Sequence, residues 1–111
     1  MPGAPGEIEA GLKAYETVIL LHPEADEERQ QEIIGRVREI VLAGGGTWDS
    51  LDPWGRKKLS FEIQKQTEAH HWFVQFTSDP AAQAEVDRVL AITDGVLRHK
   101  IVRRRPAAAA S

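Results

Sequence analysis

Two segments with helical spacing are each enclosed by segments with β-strand character, and this order constrains the fold more than any other feature. Apolar residues recur three and four positions apart from Ile33 to Val41 and again from Ala82 to Leu90. Four other segments are rich in β-branched and apolar side chains: residues 15–21, 47–64, 71–77 and 96–103. The chain therefore predicts the order β-α-β-β-α-β.

That order leaves few arrangements for a compact domain. Crossover connections are right-handed, and two helices must cover one face of the sheet. We therefore predict an α+β protein with a ferredoxin-like split βαβ sandwich, in which a four-stranded antiparallel sheet has the strand order 4-1-3-2. This fold serves many unrelated functions, so it does not by itself indicate one.

Capping residues and helix breakers locate the predicted elements. Asp26 is a suitable N-cap, and the triple glycine 44–46 ends a first helix that runs from about 26 to 43. Asp79-Pro80 begins the second helix. The polar residues 65–69 are predicted to form a turn before the strand 71–77.

The β-rich segment 47–64 contains the most regular strand pattern. Leu59, Phe61 and Ile63 alternate with polar residues, as in a half-buried strand. Pro53 and Gly55 interrupt the segment upstream. The residues alone allow either a hairpin or one long edge strand with a bulge at this point.

Length and composition indicate a single soluble domain. The chain has 111 residues and no cysteine, which excludes disulfides and thiolate metal sites. Its longest apolar run, 18–21, is too short to cross a membrane, and the N-terminus does not resemble a secretory signal, so we expect a cytoplasmic protein. We predict a flexible N-terminal arm over 1–14, a domain over 15–104 and a tail over 105–111.

The net charge of −3 conceals an uneven distribution. Residues 1–52 hold 4 basic and 11 acidic side chains, whereas residues 53–111 hold 10 basic and 6 acidic ones. The predicted last strand and the tail carry five cations with no acidic residue after Asp94: Arg98, Lys100, Arg103, Arg104 and Arg105. Such a run predicts contact with phosphate groups, although an exposed charged strand face is often only solvated.

No constellation of residues indicates catalysis or a metal. His70 and His71 are adjacent in a strand, so they point to opposite faces and cannot ligate one ion. An acylphosphatase-like enzyme would need an asparagine, which this chain lacks. We therefore predict a non-enzymatic protein without metal, cofactor or small-molecule substrate.

Trp54 stands beside three cations and is a candidate contact residue. It precedes Gly55 and the cluster 56–58. An aromatic ring next to cations on an exposed edge suits a partner protein or RNA. The alternative is a ring that covers one end of the core. The predicted last strand lacks aromatic residues, so RNA binding would depend on charge and shape rather than on base stacking.

Several motifs, in order, resemble the sixth protein of the bacterial small ribosomal subunit. The resemblance covers about residues 15–104. It is carried by the following stretches: Tyr15-Glu16, His22-Pro23, the run from Trp54 to Ile63, the strand from His70 to Phe76, Asp79-Pro80, and the run from Asp94 to Arg98. In this family the second strand is one long, bent edge strand, which favours a single strand through Pro53.

The resemblance implies a structural role in the ribosome. Proteins of this family pair with the eighteenth protein of the small subunit, and the pair binds the central domain of the small-subunit (16S) ribosomal RNA on the platform. Matching positions imply RNA contacts at Tyr15, Arg56, Lys57 and Arg98, with Lys13 as the cation at the N-terminal edge. The charge pattern alone predicts further RNA contacts at Lys100, Arg103, Arg104 and Arg105.

The partner protein is expected at the edge formed by the second strand. We predict contacts at four residues there: Trp54, Arg56, Lys58 and Phe61. The competing hypothesis is a generic ferredoxin-like module that oligomerises or binds a ligand in the cytoplasm.

Overall fold

The computed structural model describes residues 11–104, which form six elements in the predicted order. Their bounds are β1 Lys13–Leu21, α1 Glu27–Ala43, β2 Thr47–Ile63, β3 Gln66–Ser78, α2 Pro80–Ile92 and β4 Val96–Arg103. Within residues 11–104, neither helix has the length and apolar character needed to span a membrane. The first residues of the predicted arm and the tail from Arg105 onwards lie outside the described range.

The four strands form one antiparallel sheet in the order β2-β3-β1-β4. This order is the predicted 4-1-3-2 arrangement, and the ferredoxin-like split βαβ sandwich is confirmed. β1 and β3 lie at the centre, whereas β2 and β4 are the two edges. Both helices pack on the same side, so no helix or strand of residues 11–104 covers the other face of the sheet, here called the open face.

The core lies between the sheet and the helices. Ile19 of β1 and Phe76 of β3 are fully buried there, together with Val37 of α1 and Val86 of α2. One buried polar contact crosses this core, because the Trp72 indole nitrogen donates to Gln30 Oε1 at 3.0 Å. Trp72 is thus a core residue, as its alternation with Val74 and Phe76 indicates.

Both helices begin at the capping residues that the sequence indicates. The Asp26 carboxylate accepts a hydrogen bond from the Arg29 backbone N–H at 2.8 Å, and Asp79 accepts one from Ala82 at 2.7 Å. At the other end of α1, the Gly46 N–H donates to the Val41 carbonyl. A side chain at Gly46 would collide with the backbone oxygen of Thr77, so the chain can turn tightly into β2 only with glycine there.

The hairpin of β2 and β3 differs from the sequence prediction at its tip. The predicted turn over 65–69 is wrong, because only Gln64 and Lys65 lie in the turn and β3 already begins at Gln66. Both turn residues have positive φ, 50° and 66°, as a type I′ turn requires. The following polar residues extend the hairpin beyond the core, and their polarity therefore reflects a strand outside the core rather than a turn.

β2 is a single strand, as the family resemblance implies, but its pairing is irregular. The register with β3 shifts between Trp48 and Ser50, between Pro53 and Gly55, and again between Lys58 and Ile63. In the last of these shifts, four residues of β2 lie opposite one residue of β3. The Leu59–Ile63 alternation therefore belongs to a bulged segment rather than to a regular half-buried strand.

Candidate functional site

The open face of the sheet carries an apolar centre beside a basic edge. Val18 and Leu20 of β1 point to this face, since the alternate residues of β1 are buried against the helices. Their partners across the ladder are Lys100 and Arg98 of β4, which share the same face. Both cations are exposed, and neither has an ion-pair partner among residues 11–104.

Arg103 and Tyr15 lie on the opposite, helix-covered side of the sheet. Arg103 pairs across the ladder with Tyr15. Tyr15 is only 6% exposed, and its ring centroid lies 5.4 Å from that of Phe76. Burial raises the pKa of its phenol, while the Arg103 charge opposes that shift and the Asp79 charge adds to it. The structure thus gives Tyr15 a packing position and places Arg103 apart from Arg98 and Lys100.

Arg104 is held by an acidic residue that lies far away in the sequence. Its guanidinium Nη2 is 2.9 Å from Asp49 Oδ2, near the start of β2. The hydroxyl of Thr77 donates to the same carboxylate oxygen at 2.6 Å, and that of Thr47 donates to the other oxygen at 2.7 Å. Asp49 is therefore the counter-ion of one member of the basic run.

These contacts lower the pKa of the Asp49 carboxylate. Burial by itself would raise its pKa, but the hydrogen bonds from Thr77, Thr47 and Arg104, with the Arg104 charge, hold it below the ordinary value. The carboxylate therefore stays ionised at neutral pH. The ion pair spans the open face at the end where β1 begins, above Ala14, which is 4% exposed.

In the basic cluster 56–58 of β2, the arginine forms an ion pair within the protein and the two lysines face solvent. Arg56 Nε lies 2.6 Å from Glu68 Oε1, and its Nη1 also donates to the Pro23 carbonyl at 3.4 Å. Lys57 and Lys58 are exposed and have no ion-pair partner in the part of the chain that the structure describes. Arg56 thus helps to hold the hairpin, whereas the two lysines remain available to solvent.

Trp54 does not cover the core. It is 42% exposed, and its ring is stacked on Phe73 with 5.4 Å between centroids and 13° between planes. Its indole nitrogen donates to Asp52, and the Lys57 ammonium lies 5.5 Å from its ring centroid. An aromatic pair with an adjacent cation therefore stands on the surface, where the sequence predicts a contact residue.

The tip of the hairpin bends over the open face towards β4. The Gln64 side-chain amide donates to the Leu97 carbonyl at 3.0 Å. Gln64 follows β2 and Leu97 lies in β4, so this hydrogen bond connects the two edges of the sheet. Beneath the tip lies a hollow of about 330 Å³. It is lined by Val18, Leu20, Lys58, Leu59, Ser60, Phe61, Ile63, His71, Arg98, His99 and Lys100.

This hollow joins two sets of residues that the sequence assigned to different ligands. Lys58 and Phe61 are predicted to contact the partner protein, and Arg98 and Lys100 are predicted to contact RNA. Phe61 is 63% exposed, so it presents a large apolar surface next to these cations. The sequence gives no sign of the bend, because Gln64 and Leu97 are separated by 33 positions.

The remaining predicted site residues lie elsewhere. Lys13 begins β1, and its ladder partner is Ser78. Arg105 lies outside the described residues. A second hollow of about 630 Å³ lies between the outer faces of α1 and α2, but it contains none of the predicted site residues and has side chains of both charges. Among residues 11–104, no group of three acidic or histidine side chains is placed to hold a metal ion.

Comparisons with solved structures support the observed fold. The crystal structure of 30S ribosomal protein S6 from Thermotoga maritima superposes with a TM-score of 0.78 over 84% of this chain and 88% of that chain, at 24% identity. The solution structure of the C-terminal domain of the MgtC protein from Mycobacterium tuberculosis gives a TM-score of 0.61, at 12% identity, over 86% and 92% of the two chains. At these identities the likeness concerns the fold alone.

Sequence comparison is more specific. The model of the family described as ribosomal protein S6 matches residues 14–103. The small ribosomal subunit protein bS6 of Micrococcus luteus is 44% identical over 92 residues, which cover 83% of this chain and 91% of that protein. The bS6 protein of Clostridium perfringens is 40% identical over 83% of this chain and 97% of its own length. The chain therefore belongs to the ribosomal protein S6 family.

Proposed function

We propose that this protein binds the central domain of the 16S ribosomal RNA on the platform of the small subunit, together with the eighteenth protein of that subunit. Membership of the family makes the chain a structural, non-enzymatic component of the small subunit in the cytoplasm. The observation that carries the finer proposal is the pair Arg98 and Lys100. Both side chains are exposed on one face of an edge strand and are unpaired within the described range.

The RNA contact is proposed to be electrostatic. Arg98 and Lys100 project side by side from β4, so they can neutralise neighbouring phosphates and release their counterions. Lys57 extends the positive surface beyond the apolar centre, and Arg103, Lys13 and Arg105 remain proposed contacts. Arg56 and Arg104 are engaged by Glu68 and Asp49, so we assign them a smaller part in binding.

In this proposal, Tyr15 and Arg56 mainly stabilise the structure around the cations. Tyr15 of β1, the strand that pairs with β4, packs on Phe76 in the helix-covered core. Arg56 ties the hairpin to the loop at Pro23. Their predicted RNA contacts remain predictions that substitution can test.

The partner protein is proposed to dock along β2 and the adjoining open face. Trp54 and Phe61 supply exposed apolar area there, and Lys58 supplies an adjacent charge. Exposed apolar groups rimmed by polar ones are typical of protein–protein contact surfaces. Since the chain carries a net charge of −3, we expect its RNA affinity alone to be weak and to rise when the partner adds cations.

A salt titration of RNA binding tests this proposal. The affinity for a central-domain fragment of 16S RNA is measured with and without the eighteenth protein at several salt concentrations. The double variant Arg98→Gln, Lys100→Gln is compared with Arg36→Gln, Arg38→Gln, which removes two exposed cations from α1. We expect the first variant alone to reduce the slope of log affinity against log salt by about 1.4–1.8, because each of the two lost phosphate contacts contributes about 0.7–0.9.

Two results would contradict the proposal. If the unmodified chain failed to bind the fragment both alone and with the eighteenth protein, the proposed RNA function would be wrong. If both double variants reduced the slope equally, binding would depend on overall charge and not on β4.

A further inference from the structure

The outer surface of α1 carries a row of charges with alternating sign, here called the charge stripe. It consists of Arg29, Glu32, Arg36 and Glu39. Steps of three and four residues keep these side chains within about one quarter of the helix circumference. All of them line the hollow of about 630 Å³ between α1 and α2. The stripe therefore borders a concave surface of the helix layer.

Ion pairs within the helix engage only half of these charges. Opposite charges three or four positions apart in a helix commonly pair with one another. Arg29 and Glu32 do so at 2.8 Å. Arg36 and Glu39 have no ion-pair partner among residues 11–104. Two exposed charges of opposite sign are thus available to another molecule.

The order of the signs is self-complementary. In an antiparallel pair of identical helices, a twofold axis places residues at equal distances from the axis opposite each other. With the axis at the level of Ile34, Arg29 faces Glu39 of the other copy, and Glu32 faces Arg36. Symmetry repeats each contact, so every charge of the stripe meets its opposite. A parallel pair in register would instead place each charge against its own sign.

The helix surface also permits close approach. Gly35 lines the hollow, and no atom lies within 4 Å of the position that a Cβ would take there. A second helix can therefore come near the backbone of α1 without meeting a side chain at this point.

Exposed apolar side chains lie at both ends of the helix layer. Leu42, near the end of α1, is 46% exposed, and Ile92, at the end of α2, is 68% exposed. The end of α2 lies beside the start of α1, where the Arg29 guanidinium donates to the Asp94 carbonyl at 2.7 Å. Antiparallel pairing therefore brings Leu42 of one copy to the end of the layer that carries Ile92 in the other.

We infer that the charge stripe and the adjoining hollow bind a second copy of this chain, with the two α1 helices antiparallel. This surface lies on the helix side of the sheet, away from the open face, so the inference goes beyond the proposed function and does not depend on it. One pair of helices buries less area than a standard protein interface. We therefore expect a weak dimer, with a dissociation constant on the order of 0.1 mM.

Charge reversal at the centre of the stripe tests the pairing. Self-association of the full chain is measured by sedimentation equilibrium for Glu32→Arg, for Arg36→Glu and for the double variant. Each single change places like charges opposite each other at two symmetric contacts, so we expect it to weaken association about tenfold or more. The double variant restores opposite charges and should associate like the unmodified chain. Lys65→Glu, at the exposed hairpin tip, is the control and should change association less than about threefold.

A mixture of the two single variants tests the register. The Glu32→Arg chain presents cations at both central positions, and the Arg36→Glu chain presents anions there. We expect the mixture to form a heterodimer about as tightly as the unmodified chain forms its dimer, although each variant alone is largely monomeric. The control mixes Glu32→Arg with Lys65→Glu, which has the same net charge as Arg36→Glu but an unaltered stripe. It should associate more weakly.

Removal of an apolar group tests the hollow. Leu42→Ser is compared with Phe61→Ser, because both side chains are exposed and only Leu42 lines this hollow. We expect the first change to weaken self-association about fivefold and the second to leave it unaltered. Circular dichroism of each variant confirms that the fold is retained.

Every other outcome overturns the inference. A chain that stays monomeric at about ten times the expected dissociation constant has no such dimer, while the proposed function would still stand. If the chain stayed monomeric and Arg36→Glu lowered the affinity for the 16S fragment, the stripe would belong to RNA. If Phe61→Ser weakened association and Leu42→Ser did not, the copies would meet through the open face. If the unmodified chain dimerised but neither the double variant nor the mixture did, the antiparallel charge pairing would be wrong.

Discussion

At the scale of single residues, a cation's role depends on its nearest acidic group. The basic run at the end of the chain looks uniform, yet Arg104 is paired with Asp49 while Arg98 and Lys100 have no such partner among residues 11–104. A paired cation attracts phosphate less strongly, since its charge is already compensated. Asp49 therefore leaves Arg98 and Lys100 as the stronger candidates for the proposed RNA contact.

The Asp49 contacts give a pH-dependent contribution to stability. Because its pKa is lowered in the folded state, the contribution is complete above the ordinary pKa near 4 and is lost as pH falls through the folded value. We expect Asp49→Asn to reduce the free energy of unfolding by about 1–2 kcal/mol at pH 7. The difference from the unmodified chain should shrink below pH 4 in urea denaturation. A constant difference between pH 7 and pH 3 would contradict this assignment.

At the scale of elements, the connections determine how the strands can pair. α1 leads into β2 through Gly44–Gly46, and Gly46 lies against the backbone of Thr77 in the neighbouring strand. The hairpin then turns with two residues of positive φ and bends towards β4. The first connection sets the start of the β2–β3 register, and the second places the hairpin tip over the open face.

Substitution by alanine should have opposite effects at two glycines, Gly35 within α1 and Gly46 after it. Gly46→Ala would force the new methyl group into the Thr77 carbonyl oxygen, so we expect a loss of more than about 2 kcal/mol of stability. Gly35→Ala lies within α1 with no atom within 4 Å of the added carbon, so we expect a gain of about 0.5–1 kcal/mol. Thermal unfolding of both variants measures these changes. Equal effects would show that the Gly46 contact is not limiting.

At the scale of the whole molecule, the two helices cover one face of the sheet, and no element of residues 11–104 covers the other. The helix-covered face holds the core, with Ile19 and Phe76 fully buried. The open face retains exposed apolar groups such as Phe61 and the half-exposed Trp54. A protein that keeps such groups at its surface is suited to assembly with other molecules, which agrees with its place in a ribosomal family.

This division predicts where the stability of the domain originates. Ile19→Val removes one methylene-sized group from a fully buried side chain, so we expect a cost of about 0.5–1.5 kcal/mol. Ile92→Val makes the same change at a side chain that is 68% exposed, and it should alter stability by less than about 0.5 kcal/mol. Denaturant unfolding compares the two. Similar costs would mean that Ile92 packs more closely than its exposure indicates.

Much of the fold follows from local patterns in the sequence. The apolar spacing, the caps Asp26 and Asp79 and the glycine stop after α1 report contacts made within a few residues, so the element order and sheet topology could be predicted. The turn at the hairpin tip could not, because the polar residues that follow Lys65 lie on the part of β3 that extends beyond the core, where their polarity resembles that of a loop.

The sequence by itself determined the order of the elements, the side of β4 on which Arg98 and Lys100 lie, and the family. Only the tertiary structure decided how the cations are used, since Arg104 meets Asp49 and Gln64 meets Leu97 across 55 and 33 positions. Periodicity reports which face a side chain occupies, but a contact between distant strands depends on sheet order, register and the bend of the hairpin. For that reason the shared hollow of β2 and β4 became visible only in the folded molecule.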